Sequence, residues 1–181
     1  MNITLDHNCI INLEKCTLPY EDIEAIIKNP DNQCFVVNIG ASEMREKGVR
    51  PEHYEQFEKL LATARIKHLP RLNPMLILDV TFVGRSVLAS NEMIRFAQEI
   101  ESALFPNGQL INTGKVPHDQ KAYKKWLNRI CDIHTMWCHI QNRNDVFLTS
   151  DENFMKPPKK KKLLALGARE IHSPQSYVSR S

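Results

Sequence analysis

NDVFLTSDENF, residues 144–154, is the stretch from which we predict the fold of this chain. Residues 145–149 predict a short buried β-strand, because Val146, Phe147 and Leu148 form an apolar run of β-branched and aromatic character. Asp151 comes just after the carboxyl end of that strand. Ligands of open α/β sheets bind at the carboxyl ends of strands, so this carboxylate either caps the next helix or holds a metal ion.

Two other predicted strands also lead to an acidic residue. Residues 3–5 form an apolar strand followed by Asp6, and residues 33–39 form a strand that leads into a helix carrying Glu43. Strands and helices alternate along the whole chain, which predicts an α/β sandwich with a mainly parallel sheet. In such a sheet Asp6, Glu43 and Asp151 would all lie near the same edge.

Carboxylates gathered at one edge repel each other unless a cation or shared protons neutralise them. Ligand sets made only of oxygen suit hard divalent cations, Mg²⁺ or Mn²⁺. No pair of histidines with the spacing of a zinc site accompanies these carboxylates in the sequence. A site of this type would activate a water molecule for attack on a phosphodiester.

Periodicity and breaker residues predict the remaining elements. Helices are predicted at residues 20–29, 51–65, 91–104, 118–142 and 163–166, and further strands at 75–80 and 169–172. Asp132 lies in the fourth of these helices, beside an apolar face. A loop is predicted at residues 70–74, and the polar residues from Ser173 onward predict a frayed tail.

Composition indicates one globular domain. The chain has 181 residues, of which 42% are hydrophobic and 25% charged, enough for one sizeable core. No apolar run approaches the roughly 18 residues that a membrane span needs, and the first residues lack the pattern of a signal peptide. The cysteines number five, without a CxxC pair, which fits a reducing compartment. We therefore expect a cytoplasmic protein without a membrane partner.

Positive charge is concentrated directly after the opening stretch. The net charge is +3, and Lys156 and the run 159–162 form a dense lysine cluster. Such a patch suits a polyanionic partner. The alternative is that the run is only a solvated face or a loop.

Four segments, in order along the chain, resemble the motifs of PIN domains. ITLDHN at 3–8 resembles the first, an apolar strand followed by Asp-x-Asn, and VVNIGASEMR at 36–45 resembles the second, a strand leading to a helix with Glu near its start. Asp132 in ICDIHTMW resembles the third, an Asp on a helix. LTSDENF at 148–154 looks like the Thr-x-Asp-x-x-Phe signature, the most specific of the four, and LLALGAREIHSP at 163–174 is similar to the usual ending.

The resemblance implies a three-layer α/β/α sandwich, a single PIN-like domain over residues 1–174 with a flexible tail at 175–181. It implies a metal-dependent endoribonuclease that uses Mg²⁺ or Mn²⁺ to hydrolyse RNA, as in the toxin of a toxin–antitoxin pair, with an antitoxin protein and a homodimer as partners. The acids that it assigns to the metal and to catalysis are Asp6, Glu43, Asp132 and Asp151. It assigns the orientation of these carboxylates to Asn8 and Thr149, and we assign the RNA backbone to Lys156, Lys159, Lys160, Lys161 and Lys162.

The chain departs from the compact PIN pattern between Glu43 and Asp132, which are far apart in sequence. We therefore predict that residues 66–116 are an elaboration of the PIN core, with an extra strand and helix beside it. Asp79, at the end of the strand predicted at 75–80, is a further candidate for the site that the family motifs do not supply.

Each candidate also has an interpretation without a metal. These interpretations are a turn or cap for Asp6 with Asn8, an N-cap for Asp151, a helix-dipole interaction for Glu43 and a solvated helix face for Asp132. Glu46 competes with Glu43 for the second motif. Core packing is predicted for Trp126, Trp137, Cys131 and Cys138, and packing or surface roles for His134 and His139. Asp145 is predicted to be a strand-edge or turn acid. The alternative function is an inactive PIN-like module that binds RNA or a protein. A phosphohydrolase of small phosphate esters is disfavoured because no Asp-x-Asp or glycine-rich phosphate loop is present.

Overall fold

A computed structural model describes residues 1–44, 50–106 and 119–180. Its strands are β1 Asn2–Leu5, β2 Gln33–Val37, β3 Arg71–Leu72, β4 Val146–Leu148 and β5 Glu170–His172. The helices in these ranges are α1 His7–Lys15, α2 Tyr20–Lys28, α3 Gly40–Glu43, α4 Pro51–Thr63, α5 Asn91–Leu104, α6 Gln120–Gln141, α7 Glu152–Met155, α8 Pro157–Ala165 and α9 Pro174–Val178. The strands form one sheet in the order β3-β2-β1-β4-β5.

All strand pairs in this sheet are parallel, which confirms the predicted α/β class and its parallel sheet. The central strand β1 pairs with β2 on one side and with β4 on the other. Leu5 lies opposite Leu148 in the register. The residues that follow, Asp6 and Thr149, therefore leave the sheet side by side at its carboxyl edge.

Helices cover both faces of the sheet. Ile3 and Leu5 of β1 pack in one apolar cluster with residues of α1, α2 and α4. Phe147 of β4 points the other way and packs with residues of α5, α6 and α8. This alternation follows from the two-residue period of a strand. The arrangement is compatible with a three-layer α/β/α sandwich.

A buried polar link joins the sheet to α6. The Nε2 of His139 lies 2.9 Å from the carbonyl oxygen of Ala168, and Nδ1 lies 3.1 Å from Thr4 Oγ1. A carbonyl only accepts, so Nε2 carries the proton and Nδ1 accepts from the Thr4 hydroxyl. Asn144 Nδ2 donates to the same hydroxyl oxygen at 2.8 Å. Burial lowers the pKa of His139 to about 4, so it is a neutral core residue, as predicted.

The predictions for two segments near the edge of the sheet are wrong. The segment predicted as a loop at 70–74 contains β3, whose two residues are too few to show a strand period. The strand predicted at 75–80 is absent. Within that described segment only Met75 forms a bridge, with Val87, and Asp79 has a left-handed φ of 57°.

The carboxyl-terminal region is more helical than predicted. Helix α8 begins at Pro157 and includes the lysine run, because proline suits a first helical turn. The frayed tail predicted from Ser173 is also wrong, since α9 forms there with Ser173 as its N-cap. Tyr177 of α9 is only 7% exposed and packs in the cluster with α1 and α2, which holds this end of the chain.

The described part of the predicted elaboration, residues 66–106, belongs to the main core. It supplies the edge strand β3 and helix α5. Ala97, Ile100 and Leu104 of α5 are fully or almost fully buried, in the same cluster as Phe147. The extra strand and helix therefore extend the sheet and cover one of its faces.

All five cysteines lie in the described ranges and none forms a disulfide. Cys131 and Cys138 are buried, in agreement with the packing role predicted for them. Trp137 is also buried in the core. In the described ranges, no helix is both long enough and apolar enough to cross a membrane.

Candidate acidic site at the carboxyl edge of the sheet

Asp6 is a buried carboxylate held by its neighbours. Its Oδ1 accepts a hydrogen bond from the His7 backbone at 2.8 Å, which caps α1. Its Oδ2 accepts from Thr149 Oγ1 at 2.6 Å and from Asn8 Nδ2 at 2.9 Å. Burial raises the pKa of Asp6 to about 6, and the charge of Asp151 adds to this, while the hydrogen bonds oppose it. Asp6 is thus both a helix cap and a destabilised anion.

Thr149 and Asn8 link the ends of β1 and β4. The Thr149 hydroxyl, which donates to Asp6, also accepts from the Asp151 backbone at 2.9 Å. Asn8 Oδ1 accepts from the Ser150 backbone at 3.0 Å. These two side chains therefore fix the positions of Asp6 and Asp151 relative to each other.

Asp151 is the N-cap of α7, as its alternative interpretation predicts, because its Oδ1 accepts from the Asn153 backbone at 2.8 Å. The cap does not remove it from the acidic site. Its charge raises the pKa of Asp6, of Glu43 and of Asp132. Asp151 therefore caps α7 and also interacts with the other acids.

Glu43 of α3 and Asp132 of α6 are electrostatically coupled to Asp6 and Asp151. Burial raises the pKa of Glu43 well above its usual value, and the charges of Asp6, Asp132 and Asp151 raise it further. Burial also raises the pKa of Asp132 well above its usual value. The charges of Asp6 and Asp151 raise it further, whereas those of Lys159 and Arg129 lower it. Every pair of these four acids therefore interacts, and we call the set the acidic cluster.

The acidic cluster has the donor chemistry of a hard divalent cation site without its final geometry. Among the described residues, no group of three or more His, Cys, Asp or Glu side chains is arranged to hold a metal ion. Mutual repulsion keeps like charges apart, and a cation would relieve it. Carboxylate oxygens are the donors that Mg²⁺ and Mn²⁺ prefer. Glu46, the competing candidate, lies outside the described residues.

His7 is a neighbour of the cluster that the sequence did not single out. Its Nε2 lies 3.9 Å from Glu43 Oε2, and the side chain is 7% exposed. Burial lowers the pKa of His7 to about 4, so the imidazole is neutral. A Cβ on Gly40 would approach His7 Nδ1 to 2.7 Å and Phe57 to 2.8 Å, so glycine is needed for this packing. No signal in the sequence distinguishes His7, because the contact depends on α3 meeting α1.

The lysine run does not form one patch. Consecutive residues of an α-helix point about 100° apart, so Lys160 and Lys161 lie on other sides of α8 than Lys159, whereas Lys162 lies near the side of Lys159 one turn further on. Lys159 turns toward the acidic cluster, whereas Lys160 Nζ donates to the Ile171 carbonyl at 2.6 Å. Lys161 is exposed, and Lys162 lines a cavity of about 580 Å³ beside α5. Lys156, just before the helix, is exposed as well.

Asp79 and Asp145 lie in other surroundings. Asp79 is exposed in a turn and lines a separate cavity of about 580 Å³ with Tyr54 and Phe82. Asp145 accepts from the Asn2 backbone at 2.8 Å and pairs with Arg169, which is the strand-edge role predicted for it. The acids that raise the pKa of Glu43 are those of the acidic cluster.

Comparisons of the chain with protein-family models, with curated proteins and with solved structures found no match. Carboxylates at the carboxyl edge of a parallel sheet can hold a divalent cation. The cations beside them, Arg129 and Lys159, can attract an anionic ligand to the same place.

Proposed function

We propose that this chain is a PIN-like, Mg²⁺- or Mn²⁺-dependent endoribonuclease. The observation that carries the proposal is the acidic cluster. Its four acids come from distant parts of the chain and from four separate motifs, and all of them interact with one another. A fold places several destabilised carboxylates together at a cost to its stability, which is typical of a functional site.

In this proposal the cation would be held by Asp6, Glu43, Asp132 and Asp151. When bound, it would supply an activated water and electrostatic stabilisation of the phosphate. Asn8 and Thr149 keep Asp6 oriented through their hydrogen bonds, a contribution that often affects metal affinity tenfold or more.

RNA is the substrate that the acidic cluster and its basic surroundings support. The resemblance to PIN domains adds a toxin–antitoxin setting, with an antitoxin and a second copy of the chain as partners. These partners are separate from the catalytic proposal, and each is testable by co-purification and by measurement of mass in solution.

The proposal predicts cleavage of single-stranded RNA that depends on a divalent cation. The purified chain, incubated with a fluorophore–quencher RNA, is expected to give signal with Mn²⁺ or Mg²⁺ and none in EDTA. Signal should return when Mn²⁺ is added in excess of EDTA. Cleavage that persists in EDTA, or no cleavage with any divalent cation, would contradict the proposal. A small phosphate ester serves as the control substrate and should remain intact.

The second candidate is an inactive PIN-like module that binds RNA or a protein. The observation that favours it is that the described acids are not already arranged as a coordination shell. Binding of RNA without cleavage in Mn²⁺ is the result that would select this candidate. The same assay therefore separates the two.

A further inference from the structure

Two cations from different helices lie over one aromatic ring. Arg129 Cζ of α6 is 5.1 Å from the centre of the Phe105 ring, and Lys159 Nζ of α8 is 5.4 Å from it. Phe105 itself is partly buried and packs against the core. Cation–π contacts of this length are attractive and restrict both side chains. We call Arg129 and Lys159 the cation pair.

The cation pair borders the acidic cluster. Both of its charges lower the pKa of Asp132. Burial lowers the pKa of Lys159, Lys156 and Arg129 lower it further, and Asp151 and Asp132 raise it. Lys159 Nζ also donates a hydrogen bond to Asn153, two residues after Asp151. Within the described ranges, neither member of the pair forms an ion pair with a carboxylate.

Two positive charges held close together repel each other, and an anion bound between them relieves that repulsion. Arginine is well suited to this task because its planar guanidinium can donate two parallel hydrogen bonds to a phosphate. The Phe105 ring contacts both cations and helps to hold them in place.

We propose that the cation pair binds a backbone phosphate of the RNA, beside the bond that is cut at the acidic cluster. This inference rests on the proposed ribonuclease function. Arg129 and Lys159 act as positioning residues, and they recognise the phosphodiester backbone without selecting a base. The other lysines of α8 are not equivalent to Lys159. Lys160 donates to a backbone carbonyl, Lys161 lies on another side of the helix, and Lys162 lies one turn further on, beside the α5 cavity. We therefore assign the phosphate to Lys159 and withdraw the RNA contact expected for Lys161.

RNA binding by the full chain tests this assignment. We expect Arg129→Gln and Lys159→Gln each to weaken binding of a fluorescein-labelled 12-nucleotide RNA about five- to tenfold, measured by anisotropy in Ca²⁺ with the RNA checked for integrity. Each should also reduce the slope of log affinity against log salt by roughly 0.7, the value for one phosphate contact on a single strand. Lys161→Gln, an exposed lysine of the same helix, is the matched control and should change affinity less than twofold. Arg129→Lys keeps the charge and should recover part of the affinity.

Equal losses for Lys161→Gln and Lys159→Gln would overturn the assignment, because the effect would then be one of net charge. Unchanged RNA binding with tighter Mn²⁺ binding in the Arg129 and Lys159 variants would also overturn it, by showing that the pair only balances the acids. Thermal melting of every variant reports whether it is folded. If RNA binds through the pair and Mn²⁺ produces no cleavage, the ribonuclease proposal fails while the phosphate site stands.

Discussion

Asp151→Asn is expected to reduce Mn²⁺-dependent RNA cleavage at least about a hundredfold while the chain stays folded. The loss follows because an amide cannot supply the negative charge that the cation requires, and even partners that only orient ligands are worth about 10- to 100-fold. The fold should persist because asparagine caps a helix as well as aspartate does, so the bond to the Asn153 backbone can be kept.

Asp119→Asn is the matched control for this substitution. Asp119 caps α6 through a bond to the Ala122 backbone at 2.8 Å, and it lies about 20 Å along that helix from Asp132. Its replacement is expected to leave cleavage unchanged. Asp6→Asn should also abolish cleavage, although its amide would face the donors of Thr149 and Asn8 and lower stability. Cleavage at the wild-type rate by both Asp6→Asn and Asp151→Asn would show that the acidic cluster is not the active site.

Glu43→Gln is expected to make the metal-free chain more stable at pH 8. The folded-state pKa of Glu43 is raised, so the stability that depends on its protonated form is complete below its usual pKa of 4.5 and is lost as the pH rises through the raised value. Asp6 acts in the same direction, between its usual 3.8 and about 6. Glutamine does not ionise, so the variant escapes this loss at position 43.

Urea unfolding in EDTA at pH 5 and pH 8 measures this effect. The free energy of unfolding of the variant should exceed that of the wild type by more at pH 8 than at pH 5. In thermal melts at the same pH values, the variant should gain about 2 to 4 °C in Tm for each kcal/mol of repulsion removed. Glu24→Gln is the control with the opposite sign, because Lys28 at 2.7 Å lowers the pKa of Glu24. Mn²⁺ should stabilise the wild type more than Glu43→Gln. A difference between variant and wild type that does not grow with pH would contradict the proposed repulsion.

Buried histidines also make the stability of the fold depend on pH. Comparing the variant with the wild type at the same pH largely removes this contribution. Burial lowers the pKa of His7, His134 and His139 to about 4. Their neutral folded forms contribute stability that is complete above pH 6.5 and is lost as the pH falls toward about 4. The histidines therefore weaken the wild type and the Glu43→Gln variant together in acid.

The sequence was informative where local signals and topology agree. An apolar strand followed by an acid predicted β1 with Asp6, and the same pattern predicted β4 with Asp151. Parallel pairing then brings such residues to one edge, which is why separate motifs could be expected to meet. The cap interpretations of Asp6 and Asp151 were also correct as local descriptions.

Other features depend on contacts between distant segments and leave no local signal. Strand β3 has two residues and gains its partner only in the sheet. His7 meets Glu43 because Gly40 allows α1 and α3 to approach closely. Phe105 joins Arg129 to Lys159 only because α5, α6 and α8 pack together. The lysine run was predictable as charge, but its division among different faces required knowledge of the helix.

Anomalous diffraction from a crystal of the chain grown with Mn²⁺ tests the central claim most directly. We predict a manganese peak among the carboxylates of Asp6, Glu43, Asp132 and Asp151, with oxygen distances of roughly 2.0–2.4 Å, close to those of hard divalent cations. The peak should be lost in crystals of Asp151→Asn or strongly reduced there. A manganese peak elsewhere, or none among these carboxylates at saturating Mn²⁺, would contradict the account.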